Sequence, residues 1–139
     1  MTYSFDDDPA RIDFEAVAGF LTTGVYWQLW RTPSDIRAQL DTAWRVVGVY
    51  DDDSGEQVGF ARAVSDGVCD AYLGDVYILP AHRGHGLGKR LVAHMIDEGP
   101  GVDFRWILFT SDAHSLYEPF GFGEPGPRAM VRPGRRPVS

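Results

Sequence analysis

One stretch of the sequence concentrates residue types suited to holding an anion: Asp75-Val76-Tyr77-Ile78-Leu79-Pro80-Ala81-His82-Arg83-Gly84-His85-Gly86-Leu87-Gly88-Lys89-Arg90-Leu91. It reads as a strand running into a loop that opens a helix. Gly84, Gly86 and Gly88 remove side chains where backbone must approach a ligand or a neighbouring strand. The first N–H groups of a helix have no partner within it, and the helix dipole makes that end a site for negative charge. Arg83, Lys89 and Arg90 add positive charge in a chain whose formal net charge is -7. Pyrophosphate is the ligand that best suits this set. Two other phosphate loops fail on spacing. A Walker A loop needs Lys-Ser or Lys-Thr after its second glycine, and here Gly88-Lys89 is followed by Arg90. A dinucleotide fingerprint would need a third glycine where Lys89 stands.

The elements that must position this loop can be read from periodicity. Phe14, Val17, Ala18, Phe20 and Leu21 recur at helical spacing between Ile12 and Leu21, and Gly24 ends the run. Thr32-Pro33-Ser34-Asp35 has a cap, a proline at the first helical position and an acid at the third. Ile36, Leu40 and Ala43 then give a second helix its buried stripe. Val46–Tyr50, Val58–Val64 and Cys69–Leu79 read as three strands joined by the turns at Asp51–Gly55 and Asp66-Gly67. They predict an antiparallel meander. After the loop, Leu87, Leu91, Val92, Met95 and Ile96 fit a third helix, stopped by Gly99-Pro100-Gly101. Phe104–Phe109 reads as a buried strand, parallel to the strand before the loop because a helix crossover joins them. Ser111 or Asp112 can cap a last short helix through Tyr117. Ala129–Arg132 could add an edge strand. Asp6-Asp7-Asp8 is expected as a solvated lead-in, and Arg132, Arg135 and Arg136 as a loose tail. The result is a mixed α/β (α+β) sandwich in a single domain over residues 1–139, and not a doubly wound fold.

Arg83-Gly84-His85-Gly86-Leu87-Gly88 resembles the Arg/Gln-x-x-Gly-x-Gly/Ala loop of GNAT-superfamily N-acetyltransferases. Ile78-Leu79-Pro80 looks like the end of that family's central strand. Ala113-His114-Ser115-Leu116-Tyr117-Glu118-Pro119-Phe120-Gly121-Phe122 is similar to the family's Ala-x-x-Leu-Tyr-x-x-x-Gly-Phe segment. The resemblance covers roughly Val46 to Phe122. A subset of small members is especially similar, sharing Tyr26-Trp27, Gly59-Phe60-Ala61-Arg62 and Asp112-Ala113-His114-Ser115-Leu116-Tyr117.

The resemblance implies a GNAT-like fold, with a central, mostly antiparallel mixed sheet flanked by helices and two splayed central strands. It implies acetyl-CoA as co-substrate, with the pantetheine arm against the main chain of Tyr77, Ile78 and Leu79. The Ile78 N–H would face the thioester carbonyl, and the pyrophosphate would lie on the N–H groups of Arg83, Gly84, His85, Gly86, Leu87, Gly88 and Lys89. Tyr117 matches the tyrosine that protonates or hydrogen-bonds the departing thiolate. Thr110 stands where many members carry an asparagine, three residues before Ala113, so contacts to the pantetheine there are expected to differ.

The acceptor side is less determined. A protonated amine is not a nucleophile, so its proton must be accepted. Among Asp75, Asp70, Asp66, Glu118 and His85, Asp75 is the first choice for the base, because it stands just before the expected bulge. Tyr26 and Trp27, with Trp30 nearby, are expected at the acceptor site beside Asp75. Cys69 has no adjacent base, and no metal-ligand spacing appears. The reading is an acetyl-CoA-dependent N-acetyltransferase acting on a small-molecule or peptide amine; the alternative is an acyl-CoA-binding sensor module without turnover. The acidic balance argues against nucleic acid and anionic membranes. No apolar run approaches the roughly 20 residues needed to cross a bilayer. A single cysteine suits a cytoplasmic location. A homodimer through the C-terminal strand is left open.

Overall fold

The computed structural model describes residues 2–136. Five strands form one sheet: β1 (Tyr3–Asp6), β2 (Arg45–Asp51), β3 (Gln57–Ser65), β4 (Asp70–Ile78) and β5 (Arg105–Ile107), in that spatial order. The first four pair antiparallel, and β5 runs parallel to β4. The fold is the mixed, mostly antiparallel sheet flanked by helices that the sequence predicts.

Alternation along the strands assigns the two faces. Val46, Phe60 and Tyr77 pack with Val17, Leu21 and Ile36 from α1 (Phe14–Thr23) and α2 (Pro33–Thr42). Their neighbours Val47, Ala61 and Ile78 face the other way, onto Leu91, Val92 and Met95. Those last residues belong to α3 (Leu87–Val92) and its continuation as a π-helical turn, Ala93–Asp97. The cap of α2 and the closing Gly24 of α1 are those read from sequence, whereas the last short helix, His114–Tyr117, starts after Ala113 with no side-chain cap from Ser111 or Asp112. Thr32 Oγ1 accepts from the Asp35 N–H while Asp35 accepts from the Thr32 N–H, and Pro33 begins the helix. Asp13 caps α1 and Gly24 closes it.

Three expectations change. No strand is expected before Val46, yet residues 3–6 form the edge strand β1, because Tyr3 and Phe5 alternate onto the α3 face, and Asp6 of the expected lead-in is its last residue. The acidic run just after them serves local structure: Asp6 accepts from the Asp8 N–H and pairs with Arg11, and Asp8 caps the turn Pro9–Arg11. The second change is at residues 129–132, which form no strand. Pro127 and Pro133 flank that segment, and proline cannot donate to a ladder. Residues 132–136 are exposed and irregular as expected, with the Arg136 guanidinium 4.4 Å from the Trp30 ring centroid. The third change is β5, which pairs over only three residues, with Leu108 and Phe109 leaving the sheet.

Candidate active site

That short pairing creates the site. β4 and β5 are joined at Asp70–Arg105, Ala71–Trp106 and Tyr72–Ile107, and no further. β4 continues six residues beyond Tyr72 without a partner on that edge. On its other edge the register with β3 slips: Phe60 opposes Tyr77, but Arg62 opposes Gly74. Asp75 and Val76 therefore share the place opposite Ala61. Asp75 takes a left-handed φ of 55° there, a bulge that bends the strand away from β5.

The direction of the main-chain groups follows. The Leu79 N–H donates to Val58 on β3, and its carbonyl accepts from the His82 N–H. Leu79 therefore has both main-chain groups engaged within the protein, and only the second acceptor position of its carbonyl is left for a ligand. Alternation turns the Tyr77 groups toward β3 and the Ile78 groups into the gap. The Ile78 carbonyl accepts from Arg83 Nε at 3.0 Å, which leaves its N–H as the donor on that edge.

The gap opens into a groove of about 1130 Å³. Its far end is the glycine loop. Gly84 and Gly86 have φ of 87° and 72°, and a Cβ at either would meet nothing within 4 Å. These glycines are required by backbone conformation, not by crowding. The first main-chain bond of α3 runs from the Arg90 N–H to the Gly86 carbonyl, so the N–H groups of Leu87, Gly88 and Lys89 precede it. Arg83 and Lys89 line the groove beside them. His85 does not: its ring lies 6.0 Å from that of Tyr3, leaving only its amide toward the loop.

Tyr117 ends the short helix α4 (His114–Tyr117) and stands in the same groove, 8% exposed, with its ring edge-on to Phe122. Its hydroxyl has no hydrogen-bond partner among the described residues. Burial first, then the nearby Tyr26 and Asp112, pushes its pKa up to about 12. It stays protonated across the physiological range. Thr110 Oγ1 accepts from the Ala113 N–H at 3.1 Å and so shapes the turn entering α4.

The other end of the groove, where the acceptor is expected, is built by the α1–α2 connection. The Trp27 indole donates to Asp75 Oδ1 at 2.7 Å. The Tyr26 hydroxyl donates to Asp112 Oδ1 at 3.3 Å and accepts from the Ser111 N–H at 3.2 Å, bridging to the loop before α4. Residues 131–134 border the same groove. The geometry works against the base role expected of Asp75. Its Oδ1 also accepts from Arg31 Nη2, and its Oδ2 accepts from Arg31 Nη1 and Arg62 Nε at 2.8 and 2.6 Å. All four acceptor positions of the carboxylate are taken. Burial opposes its charge, but the hydrogen bonds and charges of Arg31 and Arg62 outweigh that, and its pKa lies below the ordinary carboxylate value. Asp66, Asp70, Glu118 and Cys69 lie outside the groove. The Cys69 thiol is exposed, its pKa raised by its hydrogen bond to Asp70. No group of acids, histidines and cysteines suited to a metal occurs among the described residues.

Sequence reading missed Arg31 and Arg62. The available signal was a single charge in the apolar strand Val58–Val64. A charge there is costly unless paired, and its partner had to come from another element.

A family model described as an acetyltransferase (GNAT) domain matches residues 43–124, more than half of the chain. The chain is 29% identical over 133 residues to an acetyltransferase-named protein of Gibberella zeae, spanning 83% of this chain and 75% of that one. A crystal structure from Xanthomonas campestris pv. campestris, described as belonging to the GNAT family, superposes with a TM-score of 0.86. Its identity is 33%, and the match covers 96% of this chain and 94% of that one. A Clostridium acetobutylicum protein crystallised with acetyl-CoA shares the fold, with a TM-score of 0.65 at 12% identity over 94% and 96% of the two chains. The splayed β4–β5 gap, the glycine loop and these likenesses together show that the chain belongs to the GNAT acetyltransferase family.

Proposed function

We propose that the chain acts as one catalytic domain, an N-acetyltransferase that uses acetyl-CoA and acetylates an amine. The observation that carries this is a junction: an unpaired strand edge, an unpartnered helix start and a free phenol all open into one groove. Acetyl-CoA supplies an activated acetyl thioester, and amine attack forms the C–N bond as the C–S bond breaks, releasing the thiol and one proton. The Leu87, Gly88 and Lys89 amides would hold the pyrophosphate, with those of residues 84–86 beside them and Arg83 and Lys89 adding charge. The Ile78 N–H would donate to the carbonyl oxygen as it gains charge. Thr110 and Ala113 border the path of the pantetheine arm.

Tyr117 would donate a hydrogen bond to the departing sulfur. With a pKa of about 12 it is a weaker acid than an ordinary thiol, at roughly 8.5. Complete proton transfer from it is therefore uphill, and hydrogen-bond donation is the role that fits. With Asp75 fully engaged, the proton of the attacking amine leaves to water. Tyr26 and Trp27 would border the acceptor.

Titration with acetyl-CoA tests the donor half: saturable binding that coenzyme A competes away is expected, and no binding contradicts the proposal. The full engagement of Asp75, the carboxylate expected to act as base, favours a second reading, a module that holds acyl-CoA without turnover. Thiol release in the presence of amines separates the two.

A further inference from the structure

Arg31, Arg62 and Asp75 together leave one positive charge unbalanced. Arg31 and Asp75 form a bidentate pair with both side chains about 1% exposed, and Arg31 also donates to Gln39 Oε1 and the Gln28 carbonyl. Arg62 differs. It is 7% exposed, and only its Nε is engaged, by Asp75 Oδ2. Neither of its Nη groups has a hydrogen-bond partner among the described residues. Neither is sealed off: the one buried side-chain polar atom without a partner among these residues is Arg45 Nε. A nearly buried guanidinium with a free fork is costly unless an anion completes it.

Arg62 is not itself part of the groove lining; its fork stands directly behind two residues that are, Tyr72 and Gly74. Arg62 Cζ lies 6.0 Å from the Tyr72 ring centroid. The Tyr72 hydroxyl also has no protein partner among the described residues. Gly74 lies between them, and a Cβ on it would stand 2.9 Å from Tyr72 Cε2 and 3.3 Å from Arg62 Nη2. Tyr72 and Gly74 both line the groove, and β4 carries them next to the bulge. Of the groove's two carboxylates, Asp75 is fully engaged by the arginines and Trp27, whereas Asp112 accepts one bond, from Tyr26. Arg132 adds a second cation to the lining.

We infer that the acceptor is an amine carrying a compact anionic group, a carboxylate or a phosphate, which the free Nη fork of Arg62 and the Tyr72 hydroxyl bind over Gly74. The inference rests on the acetyl-transfer reading. A planar guanidinium suits two oxygens of one anion better than an ammonium would. The same charge disfavours diamines and other polycations.

Thiol release from acetyl-CoA by matched amines tests it on the intact protein. One arm pairs 3-aminopropanoate with 3-aminopropanamide. The other pairs 2-aminoethyl phosphate with 2-aminoethanol, and propane-1,3-diamine serves as the cationic control. The anionic member of at least one pair is expected to exceed its neutral partner tenfold or more in kcat/KM, and the better arm names the anion. In Arg62→Gln that ratio should fall toward one; being a ratio, it is independent of the fraction of enzyme that folds. Equal or better turnover of the neutral and cationic amines by the unmodified protein overturns the inference and leaves acetyl transfer standing. A ratio unchanged in Arg62→Gln removes Arg62 from the role. No release with any amine overturns the proposed function and the inference with it.

Discussion

The two ends of the groove are made in different ways. At the proposed donor end the groups that open into the groove are main chain: the Ile78 N–H and the amides opening α3, arranged by glycines within one short stretch of sequence. At the proposed acceptor end they are side chains drawn from distant positions: Tyr26 and Trp27 from the α1–α2 connection and Asp75 and Tyr72 from β4, with Arg62 of β3 behind them. A backbone site of this kind depends on conformation and tolerates exchange of most side chains. A side-chain site depends on identity and can be rebuilt for another acceptor while the donor end stays fixed.

Substitutions can break this contrast. The largest effect is expected for Asp75→Asn, which leaves two buried guanidinium groups without their carboxylate. Breaking such a pair costs about 3–5 kcal/mol, read as a drop in the midpoint of urea unfolding. An unchanged midpoint would mean the network contributes little to the fold. The same residue sets an acid limit. Its folded pKa lies below the unfolded value, so its contribution is complete above roughly pH 4 and is lost as pH falls through the folded pKa. Acid unfolding of the Asp75→Asn variant should accordingly be flatter than that of the parent in that window.

Next is Tyr117→Phe. It removes a donor to the leaving sulfur, an effect on the order of 10²-fold in kcat, with acetyl-CoA affinity much less changed. Equal losses in both would make Tyr117 a binding residue only. Gly86→Ala is expected to cost about 1–2 kcal/mol, because alanine must hold the left-handed conformation; no side-chain clash contributes, since the site is open. A neutral result in thermal unfolding would show that the loop relaxes freely. The smallest effect is expected for Tyr26→Phe. Losing its hydroxyl removes two long, exposed hydrogen bonds between the α1–α2 connection and the loop before α4, at the low end of the usual range and together about 1 kcal/mol or less. It should appear in the acceptor KM and not in acetyl-CoA affinity. A change in acetyl-CoA affinity instead would blur the boundary between the two ends.

The same contrast explains what could be read in advance. The glycine loop was legible because its conformation demands particular residues at fixed offsets, and the cap of α2 and the closing glycine of α1 were legible for the same reason. The alternation of Val46 with Val47 and of Phe60 with Ala61 gave the sheet its two faces. Asp75 was singled out correctly as a residue near the bulge, but its partners lie 44 and 13 residues away in sequence, and no local pattern connects positions 31, 62 and 75. β1 was hidden because four residues carry too short an alternation to stand out beside three aspartates. The segment 129–132 has strand-like composition yet finds no open edge to join, and the tail instead places Arg136 on Trp30.

Acetyl-CoA-dependent thiol release on a panel of amines, with the N-acetyl product identified by mass, bears most directly on the proposal of acetyl transfer. It predicts thiol and N-acetylated amine formed one to one with at least one acceptor, and much less of both with Tyr117→Phe. Saturable acetyl-CoA binding with no thiol released by any amine would contradict it.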